Sequence, residues 1–190
     1  MKFFKIKSYA KLNLSLYVIK KIPKKLHTIE SLVTFINFYD LIYVREIKAL
    51  KHKIKFFGKF SKNISKNNTI NKLLNLLDRK ELLKGKKFEI KIIKNIPQKS
   101  GMGGGSMNAS SIAKFFLIRK IINLNKKNIN NIMKSVGSDV SLGMSLKNTI
   151  MSKNSKLTRV KKKTWTLYFN SKAEFWLFYK SYLFKNKSAN

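Results

Sequence analysis

A chain of 190 residues, 44% hydrophobic and 12% aromatic, has ample apolar material for a packed core, which excludes a disordered chain. It has no cysteine, which excludes disulfides and thiolate metal sites, and having only two histidines, His27 and His52, argues against a histidine-built metal centre. The net charge of +34 comes almost wholly from lysine, with Arg45, Arg79, Arg119 and Arg159 the only arginines.

Abundant Asn, Ile and Phe accompany the lysine, and these residues share A/T-rich codons, so a coding bias accounts for the charge without a partner. Base readout favours arginine clusters, and none occurs, so nucleic acid is not an expected partner. The uncharged, mostly apolar run Ser31 to Tyr39 is far too short to cross a bilayer. Lys5, Lys7 and Lys11 interrupt any signal-type core at the N-terminus. A cytoplasmic protein with no membrane partner is expected.

From Lys2 to Ile19 the residues alternate in two runs, Phe4-Ile6 and Leu12-Leu14-Leu16-Val18, a strand pair or one bent strand. Lys11 and Asn13 fall on its polar face, either solvated or lining a cleft. Lys20 to Lys25, with Pro23, is a turn. Ile29 to Phe38 and Leu41 to Ile47 read as two strands joined tightly at Tyr39-Asp40. Ile54 to Phe57 is a short strand, Ser61 to Asn68 a polar loop, and Asn68-Thr69 opens a helix that runs to about Leu83 before Gly85. Phe88 to Ile93 alternates as a strand, and Ser110 to Ile122 has helical spacing. Asn128 to Met133 is a short helix, and strand candidates after Thr149 include Trp165 to Phe169. With no internal repeat or flexible linker, a single α+β unit is the simplest architecture.

Between the Phe88 strand and the Ser110 helix, Pro97 to Ala109 holds four of the chain's eight glycines. Clustered glycine marks main chain that takes positive φ or approaches something bulky. With a helix N-terminus behind it, a phosphate is the leading candidate over an ordinary turn. The loop is not a Walker A sequence, because no Gly-Lys-Ser/Thr triplet closes it. Nor is it a dinucleotide fingerprint: Ser106 stands at the third glycine position, and no carboxylate occurs between Glu89 and Asp139. Only eight carboxylates exist, and Asp139 stands out because Gly137-Ser138-Asp139-Val140 can present it without crowding. By itself Asp139 reads either as a cap or Asx turn, or as a working carboxylate. His27 by itself reads as a solvated loop histidine.

Four segments in this order resemble the GHMP kinases: Ala10-Lys11-Leu12-Asn13-Leu14; His27 with Glu30-Ser31-Leu32; Ile96-Pro97 leading into Gly101-Met102-Gly103-Gly104-Gly105-Ser106-Met107-Asn108-Ala109; and Val136-Gly137-Ser138-Asp139-Val140. The resemblance implies the N-terminal domain of that family over residues 1–160, a mixed β-sheet with helices packed on it and a phosphate loop at a helix N-terminus. It further implies transfer of the γ-phosphate of ATP, with Mg2+, to the 2-hydroxyl of a cytidine-diphosphate-linked methylerythritol in the non-mevalonate isoprenoid pathway. In that reading Asp139 accepts the hydroxyl proton and Lys11 orients the hydroxyl and offsets negative charge. Pro97, Gly101, Met102, Gly103, Gly104, Gly105, Ser106 and Asn108 hold the nucleotide, Ser106 also helps to hold the metal, and Asn13 and His27 contact the cytidine-bearing substrate. Leu26 replaces a tyrosine that stacks on the cytosine, an interaction of about 1–3 kcal/mol, and Met107 replaces a second serine.

Residues 161–190 are expected to begin a second lobe that is otherwise missing, and to be aberrant after about 173. Read one base later, the codons for Glu174 to Lys180 admit Asn-Phe-Gly-Cys-Ser-Thr-Lys, similar to the segment that follows in the family. A frameshift there accounts for the aperiodic Phe175, Trp176, Phe178 and Tyr179. Two alternatives stand beside the kinase: a basic RNA- or ribosome-binding module, and an inactive kinase fragment.

Overall fold

The sheet is built outward from one long strand. A computed structural model describes residues 2–20, 28–152 and 156–159, and in it β2 (Thr28–Ile47) is flanked along its length by the antiparallel β1 (Phe4–Lys20). On its other edge, residues 41–47 pair antiparallel with β4 (Lys87–Ile93), while Ser31 to Val33 pair with β5 (Thr149–Ser152), which carries β6 (Lys156–Arg159). β3 (Lys53–Phe57) runs parallel to β4, and a parallel pair requires a crossover, here α1 (Thr69–Arg79). The sheet is therefore mixed. Pro23 and His27, Trp165 to Phe169, and the whole of residues 161–190 lie outside the described residues.

Period-two alternation sends Ile42 and Val44 of β2 and Phe88, Ile90 and Ile92 of β4 to one face. There α1 contributes Ile70, Leu73, Leu74 and Leu77, α2 (Gly104–Ile118) contributes Ile112 and Phe116, and α3 (Lys126–Val136) contributes Ile132 and Met133. The opposite face is charged: Arg45 pairs with Glu89 across the β2–β4 seam, Lys91 pairs with Glu89 along β4, and both cations also lie over the Phe3 ring. Among the described residues no helix is long and apolar enough to cross a membrane.

Four expectations from the sequence are corrected. β2 passes uninterrupted through Tyr39 and Asp40, with no tight connection there. Asp40 satisfies its polar atoms in the interior and not in a turn: its carboxylate accepts from the N–H groups of Asn95 and Ile96, both at 2.8 Å. α2 starts at Gly104, six residues ahead of Ser110, because low glycine propensity costs least in the first turn and close neighbours below leave no room for a Cβ. α1 ends at Arg79; Glu81, Lys84 and Gly85 then take positive φ and turn the chain into β4. α3 is also longer at both ends than Asn128 to Met133.

His52, just ahead of β3, ties α1 to β4. Its Nδ1 accepts the Phe88 N–H at 3.0 Å, and its Nε2 lies 3.1 Å from Asp78 Oδ2, which Lys87 Nζ also approaches at 2.8 Å. Burial lowers its pKa below the ordinary 6.5, against the raising effect of the Asp78 carboxylate. The unfolded chain therefore binds this proton more readily. Stability from this site is complete above pH 6.5 and falls as the pH drops from there towards the lower folded-state value. Urea midpoints measured between pH 7.5 and pH 5 are expected to decline on the acid side, and His52→Gln is expected to flatten that slope; parallel curves for the two proteins contradict this assignment.

Candidate active site

A break in strand pairing starts the site. The β1–β2 register slips between Tyr9 and Lys11, where Lys11 pairs with Phe35 after Tyr9 paired with Tyr39. Irregularities of this kind re-aim side chains beside functional sites. Here the Lys11 N–H turns to the Met102 carbonyl at 3.1 Å, fastening β1 to the glycine loop. The Lys11 side chain, 7% exposed, then runs across Gly103 to put its ammonium 3.1 Å from Asn13 Oδ1 and 3.2 Å from Asp139 Oδ2.

The loop from Lys94 to Gly103 is held at both ends and turned by left-handed residues at Lys99, Gly101 and Gly103. Gln98 Nε2 donates to the Phe60 and Lys62 carbonyls at 2.9 and 2.6 Å, and Ser100 Oγ donates to the Pro97 carbonyl at 2.9 Å. Gly103, with φ 67°, is the cap of α2; a Cβ there would stand 2.8 Å from Lys11 Cγ. Both its conformation and the lysine beside it require glycine.

α2 has neither a side-chain cap nor an acidic residue in its first turn. Its first internal bond runs from Met107 N–H to the Gly103 carbonyl at 2.8 Å, so the N–H groups of Gly104, Gly105 and Ser106 have no partner within the helix. Together with the positive dipole end they favour an anion. The N-terminus of α1 opens onto the same place: Asn68 caps α1 through bonds from the Ile70 and Asn71 N–H groups, and Thr69 Oγ1 donates to the Gly105 carbonyl at 2.7 Å.

Asp139 arrives from the turn after α3. Val140 N–H bonds back to Gly137, Leu142 N–H bonds to Asp139, and the buried Val140 and Leu142 side chains anchor the turn. The carboxylate itself remains 29% exposed and faces Lys11. Between this pair and the α2 N-terminus lies a cleft of about 470 Å³.

Of the residues singled out in the sequence, Lys11, Asn13, Pro97, Gly101, Gly103, Gly104, Gly105, Ser106, Asn108 and Asp139 all line the cleft. Met102 does not; its side chain is fully buried and only its carbonyl takes part, by holding Lys11. His27 lies outside the described residues. Asn108 is 1% exposed, with Nδ2 donating to Asp40 at 2.9 Å and Oδ1 without a protein partner among the described residues. Sequence reasoning missed Asp40 and Lys94, a buried ion pair whose lysine lines the cleft floor, and also Asn68 and Thr69. Asn68 was legible as a helix start; nothing in the sequence signalled Asp40 or Lys94. Among the described residues no group of three or more His, Asp or Glu side chains could hold a metal. Chemically, the cleft offers main-chain donors to a polyanion and a lysine–carboxylate pair to a hydroxyl.

The profile of the GHMP kinases N terminal domain matches residues 68–148. The 4-diphosphocytidyl-2-C-methyl-D-erythritol kinase of Pelagibacter ubique (strain HTCC1062) is 53% identical over 163 residues, covering 86% of this chain and 58% of that protein. The protein of the same name from Ehrlichia canis (strain Jake) is 36% identical over 141 residues, covering 74% of this chain and 48% of its own length. The chain thus spans about half the length of the curated relatives it matches. In fold it is similar to a crystal structure of 4-(cytidine 5'-diphospho)-2C-methyl-D-erythritol kinase, with TM-score 0.66 and 18% identity over 83% of this chain and 55% of that one. Homoserine kinase from Cytophaga hutchinsonii shares the fold at TM-score 0.56 and 14% identity, over 85% of this chain and 52% of its own.

Proposed function

We propose that this chain, whose residues 68–148 match the GHMP kinases N terminal domain, carries the ATP site and catalytic pair of a kinase that phosphorylates the 2-hydroxyl of 4-diphosphocytidyl-2-C-methyl-D-erythritol. The observation that carries the reading is the approach of Lys11 to Asp139, 3.2 Å apart, across a cleft backed by the uncapped N-terminus of α2. In this reading residues 1–160 form the nucleotide-binding domain.

Phosphoryl transfer asks a protein mainly for positioning and electrostatic stabilisation. The N–H groups of Gly104, Gly105 and Ser106 bind the ATP phosphates, with Pro97 and Gly101 shaping the entrance and Asn108 the floor. Asp139 takes the proton from the acceptor hydroxyl. Its geometry suits that role, because one carboxylate oxygen faces Lys11 and the group is open to the cleft. Lys11 orients the hydroxyl and offsets charge that develops on the transferring group. Asn13, hydrogen-bonded to Lys11, contacts the acceptor, and His27, outside the described residues, is assigned the same role from the resemblance. The donor set fits magnesium held chiefly by phosphate oxygens, since such sites use few protein ligands and Ser106 offers a hydroxyl at the cleft wall. Magnesium bound with the nucleotide would offset negative charge on the phosphates, with Ser106 the residue to help hold it.

A coupled assay of ADP release with the diphosphocytidyl acceptor tests the reading. Acceptor-dependent turnover is expected, with mevalonate and homoserine giving none above background. Turnover indifferent to the acceptor contradicts it.

A further inference from the structure

We propose that Asp40 is a positioning residue of the cleft: its one buried carboxylate sets the Lys94 ammonium, the Asn95–Ile96 main chain and the Asn108 amide beneath the first turn of α2. The inference rests on reading the cleft as the nucleotide site.

Asp40 is fully buried in the middle of a strand, where a charge is costly unless paired and hydrogen-bonded. It gathers four donors. Oδ1 accepts from the N–H groups of Asn95 and Ile96, and Oδ2 accepts from Asn108 Nδ2 and from Lys94 Nζ. Apolar packing would stabilise this position as well as a buried ion pair does, so the pair is better explained by the geometry it imposes.

Three consequences meet at the helix start. A Cβ on Gly104 would lie 3.1 Å from Lys94 Nζ and 3.0 Å from Ile96 Cγ2, so both groups form the floor directly under the first turn. A lysine ammonium beside the positive end of a helix is disfavoured, and the Asp40 counter-charge is what keeps Lys94 there. By accepting from Asn108 Nδ2, Asp40 also leaves the unpaired Oδ1 as the end of that amide free to accept from a ligand or its water. Finally, the bonds to Asn95 and Ile96 fix the height of the main chain entering Pro97. Gly104 is thus glycine because of the floor below it, whereas Gly103 is glycine because of Lys11.

Binding of a fluorescent ATP analogue with magnesium to the full chain, alongside thermal unfolding without nucleotide, tests this role. Asp40→Asn leaves Lys94 without a counter-charge and is expected to lower both the melting temperature and the affinity, the latter by tenfold or more. Asp40→Asn combined with Lys94→Met removes both charges and is expected to regain most of the melting temperature while affinity stays at least tenfold down. A double variant that binds as tightly as the parent overturns the proposal and leaves the pair purely structural. If the neutral variants do not fold, Asp40→Glu keeps the charge and moves it by one methylene; lowered affinity supports the role, and parental affinity overturns it. A parent chain that binds no nucleotide overturns the underlying reading instead.

Discussion

Asp139→Asn is expected to slow phosphoryl transfer by about 10²–10⁴-fold, the range lost with a positioned general base, while nucleotide affinity stays within a small factor of the parent. The asparagine keeps the size of the side chain, and its turn is held by Val140 and Leu142 and not by the carboxylate, so the fold is undisturbed. What is lost is the acceptor for the hydroxyl proton and the partner of Lys11 at 3.2 Å. Lys11→Met is expected to be similarly damaging. Because the two act as one unit, the double variant is expected to be barely worse than either single one. Single-turnover rates separate this from a binding defect, and an Asp139→Asn chain with parental rate removes Asp139 as the base.

Gly103→Ala is the second large effect, and its comparison with Gly101→Ala isolates the cause. The two glycines have similar left-handed φ values, 67° and 74°. Either substitution therefore costs about 1–2 kcal/mol of backbone strain, measurable in urea. They differ in space. A Cβ at Gly101 meets nothing within 4 Å, whereas at Gly103 it meets Lys11 Cγ at 2.8 Å. Lys11 is packed with 7% of its side chain exposed, so it can yield only by moving its ammonium away from Asp139. Misplacement of a reacting group by about 1 Å can cost about 10²-fold in rate. Turnover is thus expected to fall by more than tenfold in Gly103→Ala and by much less in Gly101→Ala; equal losses in the two contradict a positioning role for Gly103.

Much of the framework was legible because it follows from local periodicity. Alternation in β1 and β4 and helical spacing in α1 and α3 place their elements within a few residues, and Asn68 marks the start of α1. The errors fall where long-range contacts override local preference. Asp40 looks like a turn residue, yet it lies within a continuous strand because Lys94, Asn95, Ile96 and Asn108 satisfy it from distant segments. Gly104 and Gly105 look like loop, yet they form the first helical turn because the floor of Ile96 and Lys94 excludes a side chain at Gly104. For the site, the glycine cluster by itself pointed to a candidate anion loop. The pairing of Lys11 with Asp139 did not: it depends on the slipped register of β1 and on the turn after α3, and was expected only from resemblance to a family.

The most direct measurement is a heteronuclear NMR titration of the chain with ATP and magnesium, read at individual amides. Saturable shifts are predicted to be largest at Gly101 and from Gly103 to Ser106, with smaller ones at Lys11 and Asp139 and little change at the Arg45–Glu89 pair on the opposite face of the sheet. Shifts spread over the lysine-rich surface and abolished by salt, with Gly104 to Ser106 unmoved, would contradict a nucleotide site at the start of α2.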